Sequence, residues 1–103
     1  MPYRLTLIPG DGIGPEVTDA TVRAIAATGV AIDWEWCAAG AGALETHVTT
    51  MPEATLRSVQ QNRVGLKGPI TTPVGTGFTS VNVALRKELD LYVSLRPVKS
   101  MPG

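Results

Sequence analysis

Apolar and polar positions along the chain change period several times. Arg4 to Ile8 (RLTLI) is rich in Leu and β-branched residues and predicts a strand. Pro9 to Gly14 (PGDGIG) is a glycine-dense turn. Val17, Thr21, Ala24, Ile25 and Thr28 then recur at helical spacing. Pro15 suits the first helical position, where its missing N–H costs nothing, and Glu16 complements the helix dipole. A helix from Pro15 to about Thr28 is expected, with Gly29 as its stop. From Val30 to Cys37 the period becomes two. Val30, Ile32, Trp34 and Trp36 face one way, so a half-buried strand is expected with both tryptophans in the core.

The pattern resumes after a small-residue stretch, Ala38 to Thr49. Thr50 and Glu53 have capping-box spacing, with Pro52 in the first turn, and begin a helix ending near Asn62. Val64 to Lys67 reads as a short strand, and Gly68 to Thr79 as a loop. Ser80 is placed to cap a helix through Leu89, with Val81, Ala84 and Leu85 making its core contact. Leu91 to Val98 alternates again and predicts a strand. Tyr92, Ser94 and Arg96 lie on one face, and Leu91, Val93 and Leu95 on the other. Helices interleaved with strands, opening as βαβ, define an α/β class.

Length and composition narrow the function. The 103 residues fit one small domain and exclude a two-domain enzyme within this chain. With 44% hydrophobic and 17% charged residues, a packed core is expected rather than disorder. Zero net charge argues against nucleic acid as a partner. A single cysteine, Cys37, excludes an internal disulfide scaffold, and reads as an ordinary buried or half-buried thiol. No apolar run approaches a membrane span, and the N-terminus resembles neither a signal nor a transit peptide. These features predict a soluble domain in a reducing compartment, with no membrane partner. His47, alone in a polar loop, reads as solvated.

The neutral total conceals an asymmetry. Residues 1–66 carry four basic and seven acidic side chains, net −3, whereas residues 67–103 carry five basic and two acidic, net +3. The basic part contains the candidate chemistry. Ser80 opens a helix whose N–H groups and dipole favour anions. Asn82 and Arg86 are four apart and share a face. Lys67 ends the preceding strand, and Arg96 lies on the following one. Three cations near one helix N-terminus suit a small polycarboxylate or a phosphate. The glycine loops read as strand-to-helix corners where glycine supplies φ > 0. Gly10-x-Gly12-x-Gly14 has Pro15 where a dinucleotide fingerprint needs glycine, and Gly75-x-Gly77-x-x-Ser80 fails at the same place. No Gly-Lys-Ser/Thr follows either, so neither is a Walker A loop, and the fold is not expected to be a Rossmann fold.

Two stretches carry a family resemblance. LIPGDGIGPEV, residues 7–17, resembles the N-terminal signature of the β-decarboxylating dehydrogenases. LKGPITTPVGTGFTSVNVALR, residues 66–86, followed by LDLY at 89–92 and LRP at 95–97, is similar to isocitrate dehydrogenases in particular. The resemblance implies the N-terminal portion of the isocitrate/isopropylmalate dehydrogenase-like fold. Residues 1–103 would be the opening of the large domain, with the rest of the catalytic region and the small domain absent. It implies oxidation of isocitrate at C2 by NAD or NADP and loss of the β-carboxylate as CO₂, with Mg²⁺ or Mn²⁺. Ser80, Asn82, Arg86 and Arg96 match substrate-binding positions, and Lys67 matches a lysine that approaches the carboxylate distinguishing isocitrate. Ile13, Thr72 and Asn82 match positions of the cofactor cleft.

The family's catalytic Tyr and Lys and its metal-binding Asp residues fall after the matched segment. No catalytic or metal-binding residue is therefore assigned, and the isolated chain is expected to be inactive. A homodimer is implied for the full-length enzyme, in the cytoplasm or, in a eukaryote, the mitochondrial matrix. Phosphorylation at Ser80 would place about −1.5 to −2 charge where a carboxylate binds. Isopropylmalate or homoisocitrate dehydrogenases are the alternatives within the class. A non-catalytic regulatory subunit is the alternative outside it, although such members usually lose clamp residues that this chain keeps.

Overall fold

The computed structural model describes residues 2–40, 52–71 and 80–103. Its elements are β1 (Tyr3–Ile8), α1 (Gly14–Ala26), β2 (Ile32–Trp36), α2 (Glu53–Asn62), β3 (Gly65–Lys67) and α3 (Val81–Glu88). Three parallel strands form one sheet in the order β2-β1-β3. Tyr3 to Leu7 lie opposite Ile32 to Trp36, and Thr6 to Ile8 lie opposite Gly65 to Lys67. The chain therefore steps from β1 to one side and returns to the other. Right-handed crossovers in opposite directions require α1 and α2 to cover opposite faces.

The central strand explains the core. Thr6, Leu7 and Ile8 are buried in succession, as expected where both faces of a parallel strand are covered. Leu7 is wholly inaccessible. Ile8 joins Ala39 and Val81, and Cys37, Val59, Ile70 and Leu85 pack around them. One patch of that interface is polar. The Thr6 and Ser58 hydroxyls lie 2.7 Å apart, and the Asn62 amide donates to Thr6 at 2.9 Å and to Ser58 at 3.3 Å. Ser58 and Asn62 are one turn apart on α2, so both reach the sheet face that carries Thr6. Burial is tolerated because each group is bonded. At the outer end of this face Arg4 pairs with Glu35 at 2.7 Å. Hydrogen bonding by Ser58, then the Arg4 guanidinium, holds the Glu35 carboxyl below its ordinary pKa.

Every predicted helix, and the first three strands, occur within a few residues of expectation. Three details differ. The buried face of α1 is Gly14 and Thr18, flanked by half-buried Thr21, Val22 and Ile25. Val17, Ala24 and Thr28 are exposed instead. Thr18 takes the buried position, with its hydroxyl 3.4 Å from the Pro9 carbonyl. Trp36 is 59% exposed, since β2 is the edge strand and no described residue covers its outer end. Leu91 to Val98 forms no strand. A strand needs ladder bonds and cross-strand neighbours, and none of the described strands pairs with it. Tyr92 and Leu95 consequently stand 96% and 83% exposed.

Helix ends follow local rules. At the end of α3 the Leu91 N–H donates to the Arg86 carbonyl and the Asp90 N–H to that of Lys87. This is a Schellman motif with Asp90 left-handed at φ 52°. The α2 cap at Thr50 lies outside the described residues; Pro52 stands at the N-cap without a side-chain bond. Among the described residues no helix is long and apolar enough to cross a membrane.

Candidate functional site

In open α/β sheets, ligands bind beyond the carboxyl ends of the strands, where strand order reverses direction. Here that point lies between β1 and β3. The segments leaving the two strands meet there with almost no side chains between them. Gly10 is left-handed at φ 78°, and a Cβ on it would overlap the Pro69 carbonyl oxygen. Gly14 and Gly68 both abut the Pro9 carbonyl, leaving no room for a side chain at either. The Gly68 N–H donates to the Ile8 carbonyl at 2.7 Å, extending the β1–β3 ladder by one bond. Gly10 and Gly14 of the first glycine motif are thus used for close backbone approach. Beside it, Pro9, Gly10, Pro15, Trp36, Cys37, Ala38 and Ala39 line a crevice of about 400 Å³. Ile13, expected in the cofactor cleft, is 67% exposed at the mouth of α1.

Lys67, at the end of β3, is half-buried, and its ammonium donates to the Gly68 carbonyl at 2.9 Å. Burial pushes its pKa below the ordinary lysine value. It shares an open cavity of about 630 Å³ with Arg63 of the α2 cap and with Leu85, Leu89 and Leu91 from α3 and its exit. That cavity is mainly the uncovered flank of β3.

The α3 helix is set by Val81, which is buried against Ile8 and Ala39, with Leu85 packing alongside. This anchorage, as expected from the sequence, leaves Asn82 and Arg86 exposed one turn apart. Among the described residues Arg86 makes no ion pair. The Ser80 carbonyl accepts the Ala84 N–H at 2.9 Å, but its hydroxyl makes no capping bond. Ser80, Asn82 and Arg86 therefore share one element, and Leu85 brings that element to the same cavity as Lys67. Arg96 is different: it sits in the exposed 91–103 stretch, outside the helices and the sheet. Thr72 lies outside the described residues, as does His47.

Asp11 is a functional candidate that the sequence reading did not single out. Its carboxylate accepts the Thr71 N–H at 2.9 Å, and its own N–H donates to the Pro69 carbonyl at 3.1 Å. Its place between two glycines of a strand-to-helix turn was the available signal. Among the described residues no three His, Cys, Asp or Glu side chains gather as a metal site. The carboxylates on these segments do not fit an octahedral Mg²⁺, and no chemistry here is routed through one.

A parallel α/β sheet with glycine-packed segments at its switch point and a polar helix alongside is the architecture of a ligand-binding α/β enzyme domain. The sequence pattern of the isocitrate/isopropylmalate dehydrogenases matches residues 4–103, and the chain belongs to that family. One of the regulatory subunits of the mitochondrial NAD isocitrate dehydrogenase of Dictyostelium discoideum is 43% identical over 100 residues, covering 97% of this chain and 27% of that protein. A chloroplastic 3-isopropylmalate dehydrogenase of Solanum tuberosum is 44% identical over 100 residues, covering 97% and 28%. The crystal structure of isocitrate dehydrogenase from Methylococcus capsulatus superposes with a TM-score of 0.83 at 54% identity, over 87% of this chain and 26% of that one. The chain thus spans about a quarter of the length of these relatives.

Proposed function

We propose that this chain supplies the substrate-clamp side of an isocitrate dehydrogenase. In this reading the enzyme converts isocitrate to 2-oxoglutarate and CO₂ with NAD or NADP and Mg²⁺ or Mn²⁺. The observation that carries the proposal is the face of α3. Ser80 makes no capping bond, Asn82 is exposed, and Arg86 has no ion pair among the described residues, on a helix whose Leu85 lines the same cavity as the half-buried Lys67. Isocitrate carries about three negative charges at neutral pH, because carboxyl pKa values near 4 lie far below 7. Lys67, Arg86 and Arg96 offer a matching charge. Arg86 binds one carboxylate by its planar fork, and Ser80 and Asn82 hydrogen-bond a second. Arg96 joins them once the 91–103 stretch is packed. Held this way, C2 of the substrate faces one direction, which is the protein's contribution to a transfer reaction. NAD(P), when bound, supplies the hydride acceptor. Ile13, Thr72 and Asn82 would form part of its cleft.

The remaining assignments follow from the same reading. The catalytic Tyr and Lys and the metal carboxylates are supplied by the rest of an enzyme of the relatives' length, working as a homodimer in the cytoplasm or mitochondrial matrix. The 103 residues alone are inactive. The resemblance to a 3-isopropylmalate dehydrogenase supports a second reading. The polar, cationic face of α3 favours a carboxylate over an isopropyl group, whose burial there would leave those polar groups unbonded. A regulatory role, suggested by the Dictyostelium relative, is disfavoured by the intact set Ser80, Asn82, Arg86 and Arg96.

The test is Arg86→Ala in the full-length enzyme. Loss of a charge-assisted bond of about 1.5–3 kcal/mol lowers kcat/KM for isocitrate by roughly 10- to 100-fold. An unchanged kcat/KM would refute the assignment.

A further inference from the structure

The two glycine-packed segments at the switch point are joined by one side chain. Asp11 sits at the apex of the first loop, between Gly10 at φ 78° and Gly12 at φ 60°. Its carboxylate Oδ1 accepts the Thr71 N–H at 2.9 Å across 60 residues of sequence. Its Oδ2 lies against Gly40, where a Cβ would be 2.7 Å away. Its backbone N–H holds the Pro69 carbonyl at 3.1 Å, and its carbonyl accepts the Gly14 N–H at 2.8 Å, at the first residue of α1. One residue therefore touches the segments leaving β1, β2 and β3.

This arrangement does more than the fold requires. The β1–β3 ladder ends with Gly68. Lys67 and Gly68 are fixed by that ladder without help from Asp11. Beyond it, Pro69 has no N–H to donate, and Thr71 is exposed, so water would satisfy its amide if Asp11 did not. An ionised acceptor on an N–H is about twice as strong as a neutral one. Its effect is to choose one position for Thr71, the exposed end of a segment that Ile70 alone anchors on the core. The residue after Thr71 is Thr72, assigned above to the cofactor cleft, and Gly10 on the other side lines the 400 Å³ crevice.

We propose that Asp11 is a positioning residue. It fixes Pro69–Thr71 against the first glycine loop and thereby sets affinity for the nicotinamide cofactor, leaving isocitrate affinity to Lys67 and α3. This rests on the proposed dehydrogenase function. The test compares Asp11→Ala with Asp11→Asn in the full-length enzyme. Asp11→Ala raises KM for the cofactor about tenfold with little change in KM for isocitrate, as expected for a lost charge-assisted bond. Asp11→Asn keeps a neutral acceptor oxygen and recovers about half of the lost interaction, leaving the cofactor KM raised about threefold. Hydrogen exchange gives a readout independent of turnover. The Thr71 amide exchanges faster in Asp11→Ala and at a rate between that variant and wild type in Asp11→Asn.

Unchanged Thr71 exchange in Asp11→Ala, or an isocitrate KM that rises as much as the cofactor KM, overturns the proposal. So does a failure of Asp11→Asn to rescue. A wild-type enzyme that turns over neither isocitrate nor its analogues refutes the dehydrogenase reading instead, while the exchange data still decide whether Asp11 holds Thr71.

Discussion

Gly10 and Gly12 provide a controlled pair for the claim that the first glycine motif exists for close backbone approach. Both are left-handed, at φ 78° and 60°, so alanine at either position pays a similar conformational penalty of about 1–2 kcal/mol. Their surroundings differ. Among the described residues nothing lies within 4 Å of a Cβ on Gly12. A Cβ on Gly10 would overlap the Pro69 carbonyl oxygen, come within 2.8 Å of its carbon and within 3.2 Å of the Ile70 side chain. Backbone must then move, and the two hydrogen bonds that tie Asp11 to Pro69 and Thr71 stretch or break. At about 1 kcal/mol for the neutral bond and about 1.5–3 for the charge-assisted one, they bring the expected cost of Gly10→Ala to roughly 4–6 kcal/mol, against about 1–2 for Gly12→Ala. Urea unfolding of the two full-length variants, compared through midpoint and slope, measures the difference. Equal destabilisation within about 0.5 kcal/mol would show that φ alone explains the motif and would refute the packing argument.

Other outcomes are as direct. Ser58→Ala leaves the buried Thr6 hydroxyl with one partner fewer, and costs about 1–3 kcal/mol in the same unfolding assay. The Glu35 pKa is lowered in the folded state, so its stabilising contribution is present above its unfolded value and is lost as pH falls through the lowered one. Glu35→Gln therefore flattens the acid limb of a stability–pH curve. Ser80→Ala leaves stability within about 0.5 kcal/mol of wild type, because no capping bond is lost, where a capping serine would cost about 1. Ser80→Asp, by contrast, raises isocitrate KM sharply through like-charge repulsion; an unchanged KM would sink the idea that phosphate there blocks substrate.

Much of the fold was legible because each short element carries its own signal. Val81, Ala84 and Leu85 recur at helical spacing, and Val81 is indeed the residue that anchors α3. The Pro15 and Glu16 start of α1 survives unchanged in type. What failed depended on neighbours far along the chain. Trp36 alternates correctly with Glu35, but no described residue covers the outer end of β2. Leu91 to Val98 has a strand's period and no partner among the described strands. Thr18 reads as polar yet is buried, its hydroxyl against Gly68 of the segment leaving β3, fifty residues on. The site divides the same way. Ser80, Asn82 and Arg86 are local to one helix and could be read together. Asp11 and Thr71, 60 residues apart, are joined only by the sheet.

The central claim is that the cationic, polar face around α3 is shaped for isocitrate. A substrate panel on the full-length enzyme tests it most directly, comparing kcat/KM for isocitrate, homoisocitrate and 3-isopropylmalate with either cofactor. On the proposed function, isocitrate turnover is preferred over 3-isopropylmalate by at least about a hundredfold, since an isopropyl group leaves Ser80 and Asn82 unbonded. An enzyme that prefers 3-isopropylmalate, or treats the two alike, would contradict it.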